Sequence, residues 1–459
     1  MNPVIEMSVN PTPRARTAPP VPAGRPRFYI ETFGCQMNAA DSEEMSRTLR
    51  RRGFIAADSP ADADLFIINT CTVRQHAENR ALSFLGRLRR WKDERPGRLL
   101  VVAGCVAERL KKELPSRFSH LDGVVGAKSM DRFDTLVEKL LLPAEGPARL
   151  PDPGRAQVTA HVTVMRGCNF SCSYCIVPSV RGRESHRPLK NILEEIREKT
   201  AEGTPEVLLL GQTVNSYRGD GPAGTADFAD LLRAVQKIDA VRRIRYMSPH
   251  PFYVNDRFLA ALAECDKVCP HIHLPLQSGS DRLLKRMRRN HTRADFLDRV
   301  RRLRRARPEI LITTDLIAGF PGETDDDFNQ TVSLVRESAV DGAFCFKYSP
   351  RPGTPAAEFP DDVPETVKEE RHAELLKIVT AHSERGIASL VNTRQDILIE
   401  DVKSPGRDRT GRIVPVYEGR TRTCWKTFFT SSRNHRRGDI VPVQIAEAVG
   451  RNLWGDTRD

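Results

Sequence analysis

Ten cysteines punctuate this 459-residue chain, and six of them fall in patterns that suit metal chemistry. Cys168, Cys172 and Cys175 lie within eight residues as C-x3-C-x2-C, directly after an apolar run that begins at residue 161. A zinc site normally takes four protein ligands, and no further Cys or His completes a short pattern here. Three thiolates can instead hold three irons of a [4Fe–4S] cluster and leave the fourth iron open. An open iron can bind a cofactor or substrate through its amino and carboxylate groups. A zinc knuckle or chance clustering is the competing reading.

Cys35, Cys71 and Cys105 are far apart in sequence, and each alone reads as a buried core cysteine. Their contexts change that. Each comes at the end of a short apolar run: FYIETFG before Cys35, LFIINT before Cys71 and LLVVAG before Cys105. If the three runs are parallel strands of one sheet, the thiols emerge at one edge. Neighbouring strands lie about 4.8 Å apart, so three such thiols can converge, and the C-terminal edge of a parallel sheet is where ligands bind.

The elements needed to position these groups are legible. Residues 27–33, 64–69 and 99–103 alternate with helix-like charged segments, which predicts a parallel α/β sheet. Residues 142–157 are rich in Pro and Gly and read as a linker. Six apolar runs, beginning at residues 161, 206, 243, 271, 310 and 343, alternate with helical stretches. They predict a partial (β/α)6 barrel with its functional groups at the strand C-terminal ends. After about residue 388 the pattern changes to short β-like runs at 396–400, 412–417, 425–429 and 439–445, which predict a small antiparallel β-barrel. The expected domains are therefore a disordered tail over 1–25, an N-terminal α/β domain over 26–142, a linker over 143–157, a barrel core over 158–387 and a C-terminal barrel over 388–454.

Net charge is +12. Residues 281–307 hold twelve Lys or Arg against three Asp, which reads either as a solvated helix face or as a stripe for a phosphate-rich partner. No run of apolar residues is long enough for a membrane helix, and the Pro- and Arg-rich start does not resemble a secretory signal. A cytoplasmic protein without disulfides is expected. Cys265, Cys269, Cys345 and Cys424 read as structural, with Cys265 and Cys269 placed to share a helix face.

The C-x3-C-x2-C triplet resembles that of the radical S-adenosylmethionine superfamily. More specifically, several segments resemble the tRNA methylthiotransferases: Gly34-Cys35-Gln36-Met37-Asn38 with Asp41-Ser42-Glu43, Asn69-Thr70-Cys71-Thr72-Val73-Arg74, Gly104-Cys105-Val106-Ala107-Glu108, Arg181-Gly182-Arg183-Glu184 and His273-Leu274-Pro275. The resemblance spans nearly the whole chain after residue 26. It implies two [4Fe–4S] clusters, one on Cys168, Cys172 and Cys175 and one on Cys35, Cys71 and Cys105. The first would cleave S-adenosylmethionine to a 5′-deoxyadenosyl radical, and the second would carry the sulfur that is methylated and transferred. Gly211 and Gln212 would contact the cofactor's methionyl group. Gly319, Pro321, Gly322 and Glu323 would pack on its adenine, and Asp315, expected at the end of the fifth strand, would touch cofactor or base. Arg181, Arg183 and Arg351 either meet phosphate or cofactor or are solvated.

The Gln-Met-Asn after Cys35 matches the branch acting on N6-isopentenyladenosine at tRNA position 37. Ribosomal protein S12 and threonylcarbamoyladenosine are the alternative substrates, and a noncatalytic iron–sulfur RNA-binding protein is the alternative outside the enzyme class. Gly419-Arg420-Thr421 and Arg433-Asn434-His435-Arg436-Arg437 resemble the TRAM domain, an RNA-binding barrel, except that Cys424 stands where that pattern has Asn. Trp425, Phe428 and Phe429 read as core rather than as stacking platforms. The implied partners are a tRNA anticodon stem-loop and an external electron donor of flavodoxin or ferredoxin type, with the chain a monomer.

Overall fold

A computed structural model describes residues 25–73, 75–140, 157–201, 203–222, 224–407 and 412–457. The expected tail before Arg25, the expected linker up to residue 156 and Arg74 lie outside the described residues. Packing divides the chain into two units. One comprises Met1–Pro153 with Arg166–Asn169 and Ile176–Glu184; the other comprises Gly154–Met165, Phe170–Cys175 and Ser185–Asp459.

The first unit is built on a five-stranded sheet of β1 (Arg27–Thr32), β2 (Ile55–Ala56), β3 (Leu65–Thr70), β4 (Leu99–Gly104) and β5 (Gly123–Gly126), in the order β2-β1-β3-β4-β5. All pairs are parallel. Strands β2 and β5 are too short to have stood out in the sequence. Side chains alternate across a strand, so β3, buried throughout, feeds two cores. Phe66 and Ile68 pack with Leu85, Leu88 and Trp91 of the helix Gln75–Asp93. Leu65 and Ile67 pack on the opposite face with Met45 and Leu49 of the helix Gln36–Arg51. Covering both faces with helices makes β3 a continuous apolar run rather than an alternating one.

The second unit contains the six expected strands: β6 (Thr159–Thr163), β7 (Glu206–Leu210), β8 (Arg243–Tyr246), β9 (His271–His273), β10 (Leu311–Ala318) and β11 (Gly342–Lys347). They form two parallel three-stranded halves, β8-β7-β6 and β9-β10-β11. The stretch before β9 joins them: Ile244 N–H donates to Lys267 O (2.8 Å) and Cys269 N–H donates to Ile244 O (2.9 Å). On β10, Ile312, Leu316 and Ala318 face the helix-packed core with Phe296, Val300, Leu375 and Val379, while Leu311, Thr313, Asp315 and Ile317 point the other way, into the concave side. Asp315 is thus in mid-strand, not at its end. Cys265 and Cys269 do not share a helix face either: Cys265 closes the helix Asp256–Glu264 and Cys269 lies in the extended segment beyond it.

The C-terminal strands β12 (Arg394–Arg407), β13 (Ile413–Arg420), β14 (Lys426–Thr430), β15 (Ile440–Val449) and β16 (Asn452–Asp456) close into a barrel in the order β12-β13-β14-β16-β15. The expectation of a purely antiparallel barrel is corrected: β14 and β16 run parallel, and the expected boundary at 454 cuts through β16. Phe429 is fully buried, Trp425 packs on the barrel core, and Phe428 stacks on half-exposed Trp454 with centroids 4.9 Å apart. Two arginines of β8 hold this barrel through its backbone carbonyls. Arg243, buried, donates to the carbonyls of Asp396 (2.7 Å) and Arg420 (3.0 Å). Arg245 donates to the carbonyls of Thr421 and Arg422 (both 2.9 Å) and is balanced by Glu206 (2.7 Å). The basic stretch 281–307 is paired in part, while Lys285, Arg286, Arg288, Arg301 and Arg305 are exposed. Arg282 pairs with Asp327, Arg293 with Glu337, Arg299 with Asp295, Arg302 with Asp256 and Arg307 with Glu309.

Candidate functional site

In the first unit the ends of three adjacent parallel strands carry the dispersed cysteines. Cys35 follows β1 and caps the helix Gln36–Arg51, Cys71 follows β3, and Cys105 opens the short helix Cys105–Arg109 directly after β4. Cys71 and Cys105 are buried and Cys35 is exposed. A hydrogen bond with Cys71, helped by the Asn38 N–H and the charge of Arg181, brings the Cys35 thiol down to about 6. The same bond drives Cys71 well above the ordinary thiol range. Burial pushes Cys105 up, with Arg181 pulling the other way.

The backbone around these thiols is held tightly. Gly34 has φ +139°, and a Cβ there would sit 2.4 Å from the Cys71 Cβ. Gly104 has φ +93°, and a Cβ would sit 2.4 Å from Thr70 O. Only glycine allows such conformations and such closeness. Asn38, fully buried, donates to Asn69 Oδ1 (3.0 Å) and Thr70 O (2.8 Å) and accepts from the Cys35 thiol (3.5 Å), tying the β1 and β3 ends together.

Arg181 completes this edge. It is buried, its Nη2 reaches Asp41 Oδ2 at 3.0 Å and Asn38 Oδ1 at 3.3 Å, and its Nη1 is a buried donor with no partner. Burial works against its charge, yet Asp41, Cys105 and Cys35 together hold it firmly protonated. Asp41, itself fully buried, also pairs with Arg166. Arg181 is therefore not solvated.

Among the described residues no three His, Cys, Asp or Glu close around a single point as one metal ion requires. A four-iron cluster with one open iron is the group that three thiolates would hold instead. The donor set suits it: three thiols, a glycine-lined wall and an orphaned guanidinium N–H beside them, ready to balance an anionic group.

The loop with the other cysteines leaves the segment after β6. Gly167 has φ +78° and would, with a Cβ, meet Arg183 O at 2.1 Å; Cys168 N–H donates to Gly182 O at 3.1 Å. Farther along, Cys175 N–H turns back onto Cys172 O (3.1 Å), and fully buried Ser173 pins this turn. Its N–H donates to Met287 O (3.0 Å), its hydroxyl to Arg286 O (3.0 Å), and its carbonyl accepts from Ala356 N–H (2.8 Å). Arg289 donates to Cys172 Sγ (3.5 Å) and Pro275 O (2.9 Å). Arg289 and Ser173 carry no sequence signal of their own: one is lost in a basic run, and the other is a serine between cysteines.

Apart from mid-strand Asp315, the expected cofactor residues follow strand ends of the second unit. Gly211 follows β7, and a Cβ there would meet Met165 Sδ at 2.6 Å; Gln212 beside it is half-buried. Gly319, with φ +70°, and Gly322 shape the loop after β10, with Pro321 buried between them. Glu323 spends its carboxylate inside that loop, on Gly319 N–H (2.7 Å) and Arg371 (2.8 Å). Asp315 Oδ2 lies 3.2 Å from His273 Nε2. Arg183 is exposed and Arg351 half-buried.

Comparison with known proteins places both cysteine sets in family-matched regions. The Radical SAM superfamily model matches residues 162–335. The model of uncharacterized protein family UPF0004 matches residues 27–126. The chain is 44% identical to the tRNA-2-methylthio-N(6)-dimethylallyladenosine synthase of Sorangium cellulosum, over 94% of this chain and 93% of that one. It is 41% identical to the enzyme of the same name from Pelotomaculum thermopropionicum, over 94% and 97%. Among solved structures, the radical S-adenosylmethionine methyltransferase TsrM from Kitasatospora setae aligns at a TM-score of 0.53 and 16% identity, covering 73% of this chain and 75% of that one, a likeness of fold.

Proposed function

The chain belongs to the tRNA-2-methylthio-N6-dimethylallyladenosine synthase family, and on that premise we propose that it converts N6-isopentenyladenosine at tRNA position 37 to its 2-methylthio derivative. The target C2–H of adenine is neither acidic nor nucleophilic, so acid–base catalysis has nothing to grip. S-adenosylmethionine bound at an iron–sulfur cluster supplies, when loaded, a carbon radical that can take that hydrogen.

Cys168, Cys172 and Cys175 hold that cluster, with the turn fixed by Ser173 and the anionic charge offset by Arg289. Cys35, Cys71 and Cys105 hold a second cluster, with Arg181 as its buried counter-charge and Asn38 setting the separation of two of the strand ends. Gly211, Gln212 and the 319–323 loop border the cofactor. Glu323 braces that loop from within.

We assign residues 26–142 and 158–387 to the sulfur-carrying domain and the radical core, and the barrel from 388 to the end of β16 at Asp456 to a TRAM-type domain. The exposed Arg433, Arg436 and Arg437 offer phosphate contacts to an anticodon stem-loop, which makes binding salt-dependent. An external flavodoxin- or ferredoxin-like donor supplies electrons to a monomer working in the cytoplasm. Among the described residues no helix is long and apolar enough to cross a membrane.

The observation that carries the function is identity above 40% along 94% of the chain. Anaerobically reconstituted protein should contain about eight irons, and changing Cys168, Cys172 and Cys175 together to Ala should halve that. Wild-type protein given reductant, S-adenosylmethionine and isopentenylated tRNA should yield the methylthio nucleoside on mass spectrometry of the digest. Release of no 5′-deoxyadenosine and no mass gain on the tRNA would overturn the assignment.

A further inference from the structure

The concave face of β9, β10 and β11 is unusually furnished. Parallel register pairs His273 with Thr313 and Asp315 with Phe344, then Ile317 with Phe346, so these side chains share one face. The opposite face carries Ile312 and Leu316 into the helix-packed core. Phe344 is 60% exposed and Phe346 is also exposed, and their rings lie nearly parallel, 25° apart. Large aromatics left uncovered on the inner face of a barrel strand signal a ligand surface. Beside them runs a polar chain: Asp315 Oδ2 to His273 Nε2 (3.2 Å), His273 Nδ1 to Thr313 Oγ1 (3.0 Å), and His271 Nε2 to the same hydroxyl (3.2 Å). The His273 ring packs 5.7 Å from Phe344. At the upper end of the face, Ile317 joins the cluster that contains Tyr174, between Cys172 and Cys175. The aromatic face and the cysteine turn are therefore joined through one hydrophobic cluster.

We infer that this face is the seat of the substrate base. Phe344 and Phe346 form an apolar platform for the purine and its isopentenyl group, and Asp315, oriented by His273, accepts the N6–H. The inference rests on the function proposed above and deepens it. The chemistry is matched. Isopentenylation leaves a single N6–H, a hydrogen-bond donor that a carboxylate can take, and it adds an apolar branch that a phenyl face can cover. An unmodified adenosine offers the same donor but leaves the platform partly wet. The face thus favours the modified base and assigns Asp315 to substrate rather than cofactor.

The test uses two anticodon stem-loops, with adenosine or N6-isopentenyladenosine at position 37, and iron-loaded full-length protein. Affinity, methylthio product, 5′-deoxyadenosine and S-adenosylmethionine retention are read in parallel. Phe344→Ala should cut the binding preference for the isopentenylated RNA by about tenfold and raise 5′-deoxyadenosine released per product. Phe344→Trp should restore the preference. Asp315→Asn should weaken the binding of both RNAs, since both bases carry an N6–H, while leaving S-adenosylmethionine retention at the wild-type level. The inference is overturned if Phe344→Ala, with full iron content, keeps the wild-type preference, or if Asp315→Asn loses S-adenosylmethionine with its affinity for both RNAs intact. Wild-type protein that modifies neither RNA counts against the function itself, not merely against this seat.

Discussion

Arg181 shows how much of the first cysteine site rests on one side chain. It neutralises fully buried Asp41, braces Asn38 and keeps a spare donor among the thiols. Removing one partner from a buried ion pair is costly because the other charge stays behind. Arg166 still reaches Asp41, so Arg181→Met should cost roughly 3 kcal/mol of unfolding free energy rather than abolish folding. The same variant should lose iron from the site of Cys35, Cys71 and Cys105 while keeping that of Cys168, Cys172 and Cys175. Chemical denaturation and iron analysis check both, and full iron in a folded variant would remove Arg181 from the site. The sequence marked Arg181 through its neighbours in a motif but could not say what it met. An arginine's partner is set by tertiary approach, here over 140 residues to Asp41.

The turn between β13 and β14 bears on the element scale. Thr421 ties it closed: its N–H donates to Trp425 O (3.0 Å), and its hydroxyl accepts from Trp425 N–H (3.0 Å). Inside the turn Cys424 adopts φ +71°, the left-handed region that Asn tolerates and most side chains resist. That is the physical sense of the Asn in the pattern this turn resembles. Cys424→Asn should therefore stabilise the protein by up to about 1 kcal/mol, with the amide oxygen free to take the Arg245 donor that now meets Cys424 Sγ at 2.8 Å. A thermal midpoint unchanged or lowered would show that the strain is not relieved. The strands themselves were largely readable, since their apolar periodicity is local. Their direction was not. Parallel and antiparallel strands show the same alternation, so the parallel pairing of β14 with β16 depends on which strands the closing barrel brings together.

At the scale of the whole molecule, buried histidines tie stability to acidity. His250 stacks on Phe170 with centroids 4.1 Å apart, and burial, then Arg289, lowers it to about 2; burial likewise lowers His291 to about 3. Above an unfolded pKa near 6.5 both states are neutral and nothing is gained or lost. Below it the unfolded chain binds protons that the folded chain refuses, so stability falls from about pH 6.5 toward the folded values, by about 1.4 kcal/mol per pH unit for each histidine. Denaturation midpoints measured from pH 7 to 5 should fall steeply, and His250→Phe should flatten that fall. An equal slope in the variant would rule out His250 as a contributor. The sequence by itself determined the two sets of three thiols, the strands that deliver them and the family they mark, because those signals are local runs and short spacings. Tertiary structure alone decided the guanidinium among the first thiols, the serine that pins the second turn, and the aromatic face opposite the core. Each of these depends on which distant segments a closed sheet forces into contact, and no local pattern encodes that.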